Sequence, residues 1–579
     1  MSDEKSYDKK VEKLKKAFAS DSFSVGEEDI FQYKGKIGIR AHHKTAVNYQ
    51  TREPKNAFYV EGTPYEMGYL MGLMAEAQIA DMSVNYVEFF PFAFLGLKVT
   101  PGFIEKIIHC IFTRLFKFWI KKIKKDIPQE YKDEMKGILD ACKEVNKDAK
   151  VKEDDLWTLN VGIDAILAHF FTGKILGLQY SLSKRFTIPH CCNAFSISGE
   201  ASQGKKPLFG RDFMFVDAGV FQDCACLVIY NPDNRESGLK RLPMVSQTAP
   251  GMIGSVTGVN ARGVSAGVDV LPSAACNAWR PGFNSLLLVR HCIHLAGSAE
   301  EAVEVIANAQ RGVAWLYPVA DSTGKAGIVE AHCKIDMSLD RLIKYLLSFP
   351  DSDYKKHLPD KKFIKDNLLT YSDKDRELLC KGLMVRWNNY SYPLSYLDFN
   401  EGLKDAYNRN VWTLYKVDYP PDAFAERGYI DRYYTETNCP SAFYFAPQRE
   451  TRKDMTLVSN HAGIPEMRLP GMHKWTTIIV GGLLDDSQWR YDALNDMILG
   501  HLADRGPIDY DTAKSMIDYL SPEQKKYCCY YDRSQRSEDC KEIAIDGSTS
   551  IFDLEKKTIE SHFGYYCDEW VKITLPEYI

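Results

Sequence analysis

Apolar and polar positions follow different spacings in successive parts of the chain. From about residue 57 to 170 the apolar residues recur at helical spacing, as in FYVEGTPYEMGYLMGLMAEAQIADM. Near residue 188 the pattern changes to short runs such as NAFSISGEA and CACLVIYNP, which glycine, proline and asparagine interrupt. Short runs bounded by turn residues are typical of β-strands. The pattern predicts an α+β protein in which sheets are sandwiched between helices.

The later part of the chain alternates between the two kinds of element. NSLLLVRHCIHLAGSAEEAVEVIANAQ predicts two helices, and GVAWLYPVADSTGKAGIVEAHCKIDMS predicts a hairpin with DSTGK as its turn. MTLVSNHAGIPEM predicts a strand, and DDSQWRYDALNDMILGHL begins another helix. We therefore divide the chain into a charged N-terminal arm (1–56), a helical segment (57–191) and a main domain (192–579). A polar, tyrosine-rich insertion is expected in that domain at about 336–435.

One predicted helix, at 103–125, is both apolar and basic. Its apolar residues have helical spacing, and five lysines gather in its C-terminal half, at Lys117, Lys121, Lys122, Lys124 and Lys125. One interpretation is a helix packed on the protein, with its basic end suited to the helix dipole. The other is a basic amphipathic helix lying on an anionic membrane surface, as a peripheral contact.

Composition and charge narrow the class of protein. The chain has 579 residues, is 45% hydrophobic and 26% charged, and carries a formal net charge of −5, so nothing indicates a nucleic-acid partner. The 15 cysteines are scattered and odd in number, which fits no disulfide framework and suits a reducing compartment. Neither a signal peptide, a spanning helix nor a zinc spacing is visible. We expect a cytoplasmic protein without a metal or another cofactor.

The candidate chemistry begins at two adjacent cysteines in HCCNAFSISGEASQGKKPLFGRDFMF, residues 190–215. Cys192-Asn193-Ala194-Phe195 opens a predicted strand, a polar turn follows, and a glycine-arginine-aspartate run contains Arg211 and Asp212. This run resembles the start of the catalytic domain of the N-terminal-nucleophile (Ntn) hydrolases of the cysteine type. Within them it looks like the acyl-coenzyme A:6-aminopenicillanic acid acyltransferase-like family, which is related to choloylglycine hydrolase and acid ceramidase.

Further motifs occur in the order that the resemblance requires. TGVNARGVSAG is similar to an asparagine-containing hairpin of the family, with Asn260 in the motif position. LVSNHAG matches a strand end with Asn460, and DDSQWRYDAL matches a helix start with Arg490. The helical residues upstream are similar to the pro-segment of the acyltransferase subgroup. Asn260 in VNARG is also a good turn residue on its own.

The resemblance implies a four-layer αββα sandwich from 192 to 579, preceded by a helical pro-segment. It implies self-cleavage before Cys192, which frees an α-amine that acts as base for the thiol, and a smaller N-terminal fragment that stays bound. Arg211 would stabilise the thiolate, Asn260 and Asn460 would donate hydrogen bonds to the oxyanion, and Arg490 would hold the loops. The reaction would cleave or transfer an acyl group at a linear amide bond, with an N-acyl amide or a lipid-like molecule as substrate.

One position departs from the family pattern. The family carries an aspartate three residues after the arginine, where this chain has Met214. Either Asp212 takes over the orienting role, or the activity is altered. The sequence also leaves open cleavage after His190, with Cys191 as nucleophile. Two other functions stay open: a lipid ester hydrolase of the phospholipase-B-like type, and a membrane-associated relative without activity.

Overall fold

Two β-sheets form the centre of the chain, and helices lie against them. The computed structural model describes residues 2–48, 51–87, 117–171, 174–175, 178–179, 192–216, 220–234, 240–270, 276–341, 372–388, 454–459, 493–494, 496–523, 545–564 and 569–578. The α+β composition that the sequence predicts is confirmed.

The principal helices are numbered in chain order. They are α1 (Ser2–Ser20), α2 (Pro64–Ala80), α3 (Gln129–Val145), α4 (Glu153–Phe171), α5 (Ser285–Leu295), α6 (Ala299–Asn308), α7 (Asp373–Cys380) and α8 (Tyr510–Glu523). Shorter helical turns connect them, for example at Glu27–Asp29 and Phe221–Cys224.

The strands are numbered in the same way. They are β1 (Phe23–Ser24), β2 (Ile30–Tyr33), β3 (Lys36–Val47), β4 (Pro54–Gly62), β5 (Lys174–Ile175), β6 (Leu178–Gln179), β7 (Cys192–Ile197), β8 (Leu208–Val216), β9 (Cys226–Pro232), β10 (Met244–Thr248), β11 (Thr257–Asn260), β12 (Ser265–Gly267), β13 (Asp269–Val270), β14 (Trp315–Ala320), β15 (Ala326–Ala331), β16 (Leu383–Trp387), β17 (Met455–Ser459), β18 (Ile545–Asp553), β19 (Thr558–Gly564) and β20 (Val571–Thr574).

The strands form one large and one smaller sheet. The order in the large sheet is β1-β3-β4-β9-β10-β11-β12-β14-β15-β16, with β2 paired to β3 and β13 paired to β14. The smaller sheet has the order β17-β7-β8-β18-β19-β20. All of these pairings are antiparallel except that of β4 with β9. The strands β5 and β6 pair separately.

The two sheets face each other, and helices cover their outer faces. Strands β13 and β14 contact β7, and β15 contacts β17. Helices α5 and α6 lie on β10–β12 and on β14–β15 of the large sheet, while α8 lies on β8 and β18 of the smaller sheet. Every residue of β7 is buried, because the strand has a sheet on one side and a helical layer on the other. Continuous burial of this kind explains why CNAFSI lacks strict alternation of apolar and polar residues.

The N-terminal residues differ from the expected arm. Residues 1–56 contain α1 and strands β1 to β3, and the border expected between residues 56 and 57 falls inside β4. In β3 the side chains of Ile37, Ile39 and Ala41 are buried at alternating positions, which is the spacing of a half-buried strand. Because charged residues lie between them, the overall composition of the segment does not indicate a strand. The prediction of an extended arm is therefore wrong for these strands.

The residues before Cys192 do not form a helical unit apart from the main domain. Strand β4 runs parallel to β9, with Phe58 opposite Val228, so the large sheet contains strands from both sides of the expected cleavage site. Helix α2 begins directly after β4. Thr63 caps it, Pro64 occupies its first turn, and the Glu66 side chain accepts a hydrogen bond from the Thr63 backbone N–H in return.

The expected insertion at 336–435 is only partly described, because 342–371 and 389–453 lie outside the described residues. Its described part includes α7 and β16, and β16 pairs with β15 along its full length. Leu383–Trp387 is thus a strand of the large sheet, which corrects the expectation that this whole stretch decorates the core. The strand was hidden because its LMVRW run is short and lies between polar segments.

The basic segment is described only from Lys117, where residues 117–123 are helical. Trp119, Ile120 and Ile123 are buried, so one face packs on the protein as the first interpretation predicts. In contrast, Phe118 on the opposite face is 50% exposed. No helix in the described part of the chain is long and apolar enough to cross a bilayer.

Candidate functional site

Cys192 is the first residue of β7 and is fully buried. Its strand is an inner one of the smaller sheet, where Cys192 lies opposite Phe213 of β8, and the next residue, Asn193, lies opposite Ser459 of β17. A strand end with paired neighbours on both sides holds the sulfur in a defined position. Side chains on strands are held more precisely than side chains on loops.

The register of β7 and β8 determines which side chains share a face with Cys192. Ala194 lies opposite Arg211, so Cys192, Ala194, Arg211 and Phe213 occupy one face because side chains alternate along each strand. Cys192 and Phe213 belong to the apolar core shared with the large sheet. The opposite face, with residues such as Phe195, packs instead against α8. The Cys192 side chain therefore lies between the two sheets.

Arg211 connects the two sheets beside Cys192. Its Nη1 donates to the backbone oxygen of Asn193 at 3.0 Å, and its Nη2 lies 2.9 Å from Oδ1 of Asp269 on β13. The guanidinium also donates to the backbone oxygens of Asp212 and Val268. Both charged side chains are fully buried. A buried ion pair of this kind holds its geometry tightly, since losing either partner leaves an uncompensated charge.

The backbone of the large sheet leaves room for this arginine at Gly267. A Cβ atom added there would lie 2.6 Å from Nε and 2.9 Å from Cδ of Arg211. Any side chain at residue 267 would thus push the guanidinium away from Asp269. Glycine in the GVSAG stretch is explained by this close approach.

Asp269 is the member of the site that the sequence analysis missed. It follows the hairpin that contains Asn260, in the strand-like run VSAGVDV, and it has no place in the motifs. A lone acid in an otherwise apolar, strand-like run was the available signal, because such a residue needs a partner of opposite charge when it is buried. Only the packing of the sheets shows that the partner is Arg211.

Asp212 does not face Cys192. It lies opposite Asn193 on the outer side of the smaller sheet, where its carboxylate accepts hydrogen bonds from Nδ2 of Asn193 at 3.0 Å and from Oγ1 of Thr549 at 3.2 Å. The alternation of β8 sends residues 211 and 212 to opposite faces. The structure therefore does not support an orienting role of Asp212 on the thiol, and Asp269 is the acid on the correct face.

Asn260 occupies a turn and is not brought to Cys192. Its Nδ2 donates to the backbone oxygens of Ile293 and Ala296 at 2.7 and 2.8 Å, and its Oδ1 accepts from the backbone N–H groups of Arg262 and Val264. Both amide hydrogens are thus engaged in joining the hairpin to the end of α5. The residue lies three positions along β11 from Thr257, which is opposite Gly267, or roughly 10 Å from the arginine end of the strand. The turn interpretation describes this residue, and its role as oxyanion donor stays a prediction without a contact to support it.

Two of the predicted site residues, Asn460 and Arg490, lie outside the described residues, as do His190 and Cys191. The last described residue of β17 is Ser459, which lies opposite Asn193. The roles assigned to Asn460 and Arg490 stay predictions.

Several other described cysteines have surroundings that disfavour the thiolate form, which is the reactive form of a cysteine nucleophile. Burial raises the pKa of Cys142 to about 12 and that of Cys333 to about 11, so both are neutral thiols at neutral pH. Burial raises the pKa of Cys224, Cys226 and Cys292 as well. Across the described ranges, no group of three or more histidine, cysteine or acidic side chains could hold a metal ion.

The described part of the site combines a buried thiol with a buried ion pair. Cys192 supplies a thiol, Arg211 supplies a positive charge from the neighbouring strand β8 opposite Ala194, and Asp269 pairs with that charge. A thiolate attack on a carbonyl group needs a base for the thiol and a stabiliser for the negative charge that develops. Of these groups, the described residues contain the thiol and the paired arginine charge, and the stabilising role of Arg211 stays a prediction.

The comparisons with known proteins give distant likenesses. No family model matches the chain. A curated protein of Archaeoglobus fulgidus, described as uncharacterized, is 26% identical over 518 residues, which covers 89% of this chain and 65% of that protein. The chain thus spans just under two thirds of the relative's length.

Two solved structures are similar to parts of the chain. Penicillin V acylase from Agrobacterium tumefaciens is 13% identical, with a TM-score of 0.29 over 64% of this chain and 83% of that one. A conjugated bile acid hydrolase mutant from Clostridium perfringens is 12% identical, with a TM-score of 0.30 over 66% and 92%. Scores of this size do not establish a shared fold or reaction, so the contacts around Cys192 are the evidence for the site.

Proposed function

We propose that the chain is a cysteine-type Ntn hydrolase that cleaves or transfers an acyl group at a linear amide bond through a thioester on Cys192. The observation that carries this proposal is the position of Cys192 at the start of an inner strand. There the next backbone oxygen is bound by Arg211, and Asp269 fixes the arginine from the facing sheet. The packing of α5 and α6 on one sheet and of α8 on the other supports the four-layer αββα arrangement.

Self-cleavage prepares the nucleophile. The sulfur of Cys192 attacks the carbonyl carbon of Cys191, the peptide C–N bond breaks, and a thioester links the two parts of the chain. The peptide nitrogen takes the thiol proton as this bond breaks and becomes the α-amine of Cys192. Water then hydrolyses the thioester, which frees the thiol and leaves a carboxylate on Cys191. An α-amine has a pKa of about 8, so it can take the thiol proton at neutral pH, which an amide nitrogen cannot do.

The acyl transfer follows with the same groups. The thiol proton passes to the α-amine as the sulfur attacks the carbonyl carbon of the substrate. The tetrahedral intermediate collapses, its C–N bond breaks, and the departing amine takes the proton. Water or another amine then attacks the thioester and releases the acyl group. The Arg211 charge lowers the energy of the thiolate, and Asp269 keeps the guanidinium in its position beside the strand of Cys192.

The N-terminal fragment stays bound after cleavage in this proposal. It contributes β4 next to β9, and Glu134 of α3 makes a bidentate ion pair with Arg290 of α5, both at 2.8 Å and both buried. Lys55 donates to the backbone oxygen of Phe563 at 2.9 Å. These contacts join residues on either side of the cleavage site.

Intact-mass measurement of purified protein, with N-terminal sequencing, tests the proposal. We expect a fragment of residues 192–579 that begins Cys-Asn-Ala-Phe, and turnover of N-acyl amides by the cleaved protein. Cys192→Ala should abolish both, whereas Cys191→Ala should retain part of each. A fragment that begins Cys-Cys-Asn-Ala would move the nucleophile to Cys191. An uncut chain with full activity would refute self-cleavage.

The ester hydrolase remains the second candidate, because the same thioester can form from an ester. Matched amides and esters with one acyl chain separate the two functions. Faster turnover of the amide, corrected for the intrinsic reactivity of the ester, supports the amidase. A protein that forms no thioester with either substrate would be the inactive relative.

A further inference from the structure

Glu330 and His332 form a buried pair at the end of β15 that the proposed mechanism does not use. Glu330 is 3% and His332 is 5% exposed, and Nε2 of His332 lies 2.9 Å from Oε1 of Glu330. The backbone of His332 continues the sheet, since its N–H donates to Gly382 at 2.9 Å. Burying two ionisable side chains costs free energy of folding, and their retention indicates a role for them.

The pair faces the same space as Cys192. Glu330 lies opposite Leu316 of β14, and Leu316 lies opposite Asp269 of β13, so the three side chains share one face of the large sheet. The neighbouring Trp315 occupies the other face, where its Nε1 donates to Asp164 beneath the start of α5 at 3.3 Å. Since Asp269 contacts Arg211 of the smaller sheet, the face of Glu330 is the one between the sheets.

The pair also lies at the same end of the sheets as Cys192. At the other end of β7, Oγ of Ser198 donates to the backbone oxygen of Gly324 in the β14–β15 turn at 3.1 Å. From that contact, β7 leads back six residues to Cys192. Strand β15 leads forward six residues from Gly324 to Glu330, in the same direction along the sheets. Glu330 is two strands from Asp269, which is roughly 10 Å.

The carboxylate of Glu330 has unused capacity to accept hydrogen bonds. An ionised carboxylate has about four acceptor positions, and buried ones are almost always filled. Both oxygens of Glu330 are buried and accept no hydrogen bond from the described residues, apart from the approach of His332. Nδ1 of His332 is likewise buried without a partner there. A molecule that enters between the sheets and carries hydrogen-bond donors would satisfy these groups.

We infer that Glu330, held by His332, binds an ammonium or another strong hydrogen-bond donor on the amine part of the substrate that is cleaved at Cys192. The inference rests on the proposed function. The Arg211 charge is already matched by Asp269, so the Glu330 carboxylate is free to set the preference for substrate charge. The donor belongs on the amine part because an acyl chain of the expected lipid-like kind carries none.

Two octanoyl amides that differ only at the end of the amine test this inference. One is monoacylated 1,5-diaminopentane, with a terminal ammonium, and the other is the neutral amide of hexylamine. Since hydrogen bonds to charged groups are about twice as strong as neutral ones, we expect wild-type kcat/KM to favour the ammonium by about tenfold or more. The measurement uses the full chain as purified. Thioester formation on Cys192 from an activated octanoyl ester, which has no amine part, is followed by mass.

The variants separate binding from folding. Glu330→Gln should reduce the preference to within about threefold and leave thioester formation from the ester unchanged. His332→Gln keeps the carboxylate and supplies an amide donor that can hold Glu330 in place of the imidazole, so it should keep the preference for the ammonium. Glu377→Gln, at an exposed acid on α7, is the matched control and should change neither reading.

The outcomes are distinct. Equal loss of the preference in Glu330→Gln and His332→Gln would assign the pair a structural role and overturn the inference. So would a wild-type protein that forms the thioester but cleaves both amides equally well. Absence of a thioester with any acyl donor would instead contradict the proposed function itself.

Discussion

At the scale of single residues, Arg211 and Asp212 show that adjacent residues of a strand place their side chains on opposite faces of the sheet. Arg211 points between the sheets to Asp269, and Asp212 points to the outer face, where Asn193 and Thr549 bind it. The two acids are equally buried, Asp212 accepts hydrogen bonds from polar side chains, and Asp269 forms an ion pair with Arg211. They differ in the face they occupy, and this difference makes them a matched pair for testing the site.

The variants Asp269→Asn and Asp212→Asn should have different effects on the chemistry. Asp269→Asn leaves the buried Arg211 charge without its partner, which costs about 3–5 kcal/mol of stability. It also frees the guanidinium from its position, so we expect amide turnover per folded molecule to fall on the order of 100-fold. Asp212→Asn should lower the melting temperature but keep self-cleavage. Thermal unfolding and fragment mass are measured on the same samples. Equal loss of turnover per folded molecule in both variants would remove Asp269 from the site.

At the scale of elements, the start of α5 is held by a buried acid from α4. Asp164 accepts hydrogen bonds from the backbone N–H and Oγ of Ser285 at 2.8 and 2.9 Å, and from Nδ2 of Asn284 at 3.2 Å. Burial raises its pKa to about 7 despite these donors. The contact between α4 and the start of α5 is therefore sensitive to pH near neutrality.

The raised pKa of Asp164 predicts a pH dependence of the unfolding free energy. The folded state binds a proton up to about pH 7, whereas an unfolded aspartate releases it near pH 4. The folded state thus holds more protons in this window, and the contribution of Asp164 to stability falls as pH rises from about 4 to 7. Asp164→Asn should flatten the melting temperature over this window relative to wild type. An unchanged slope in the variant would show that the group does not titrate there.

The described part of the basic segment at 103–125 has lysines of two kinds, those paired with α4 and those exposed to solvent. Lys117 and Lys124 pair with Asp154 and Glu153 of α4 at 3.2 and 2.8 Å, so these two lysines serve the fold. Lys121 and Lys125 are exposed and remain available to a membrane surface. The ammonium of Lys122 lies over the rings of Phe118 and Trp279, and Trp279 is 55% exposed. We propose that this patch is the peripheral membrane contact.

Charge reversal at Lys121 and Lys125 tests the membrane contact without disturbing α4. A lysine near an anionic surface contributes about 1 kcal/mol, so Lys121→Glu with Lys125→Glu should weaken binding to phosphatidylserine vesicles by roughly 30-fold or more. The control is Lys143→Glu with Lys147→Glu, an exposed pair at the end of α3. Co-sedimentation at two salt concentrations provides the measurement. Binding that is indifferent to the first pair of substitutions and to salt would contradict the proposal.

At the scale of the whole molecule, the large sheet is built from both sides of the expected cleavage site. Strands β3 and β4 extend the sheet beyond β9, and α3 lies against α5 through Glu134 and Arg290. A side chain hydrogen bond also links Asp21 to the backbone N–H of Thr574 at 2.9 Å, near the two ends of the chain. A cut before Cys192 would thus leave two chains with one common core.

The cleaved protein should behave as one particle until it unfolds. We expect both fragments to co-elute in size exclusion and to separate only in denaturant. Glu134→Gln leaves Arg290 buried without its partner and should destabilise the cleaved particle by about 3–5 kcal/mol. Glu153→Gln, at the partly exposed pair with Lys124, should cost less than about 1 kcal/mol. Spontaneous loss of the N-terminal fragment in buffer would show that the sheet does not hold it.

The sequence by itself determined the mixed α+β class, several element types and the nucleophile candidate. The two helices after residue 284, the hairpin around DSTGK and the strand that opens at Cys192 are present as the local patterns predict. These features depend on local spacing, capping and turn residues, which act within about ten residues of chain. The cysteine pair and Arg211 were recognised as candidates because they occur in short local sequence motifs.

Only the tertiary structure decided which polar residues meet. The pairing of Arg211 with Asp269, the exclusion of Asp212 from the Cys192 face and the burial of Glu330 with His332 all depend on strand register and on the facing of two sheets. One residue of register moves every side chain of a strand to the other face, and local pattern does not fix the register of strands far apart in sequence. The same reason explains β3 and β4. Their place in the large sheet depends on β9, more than 150 residues later, and not on their own charged composition.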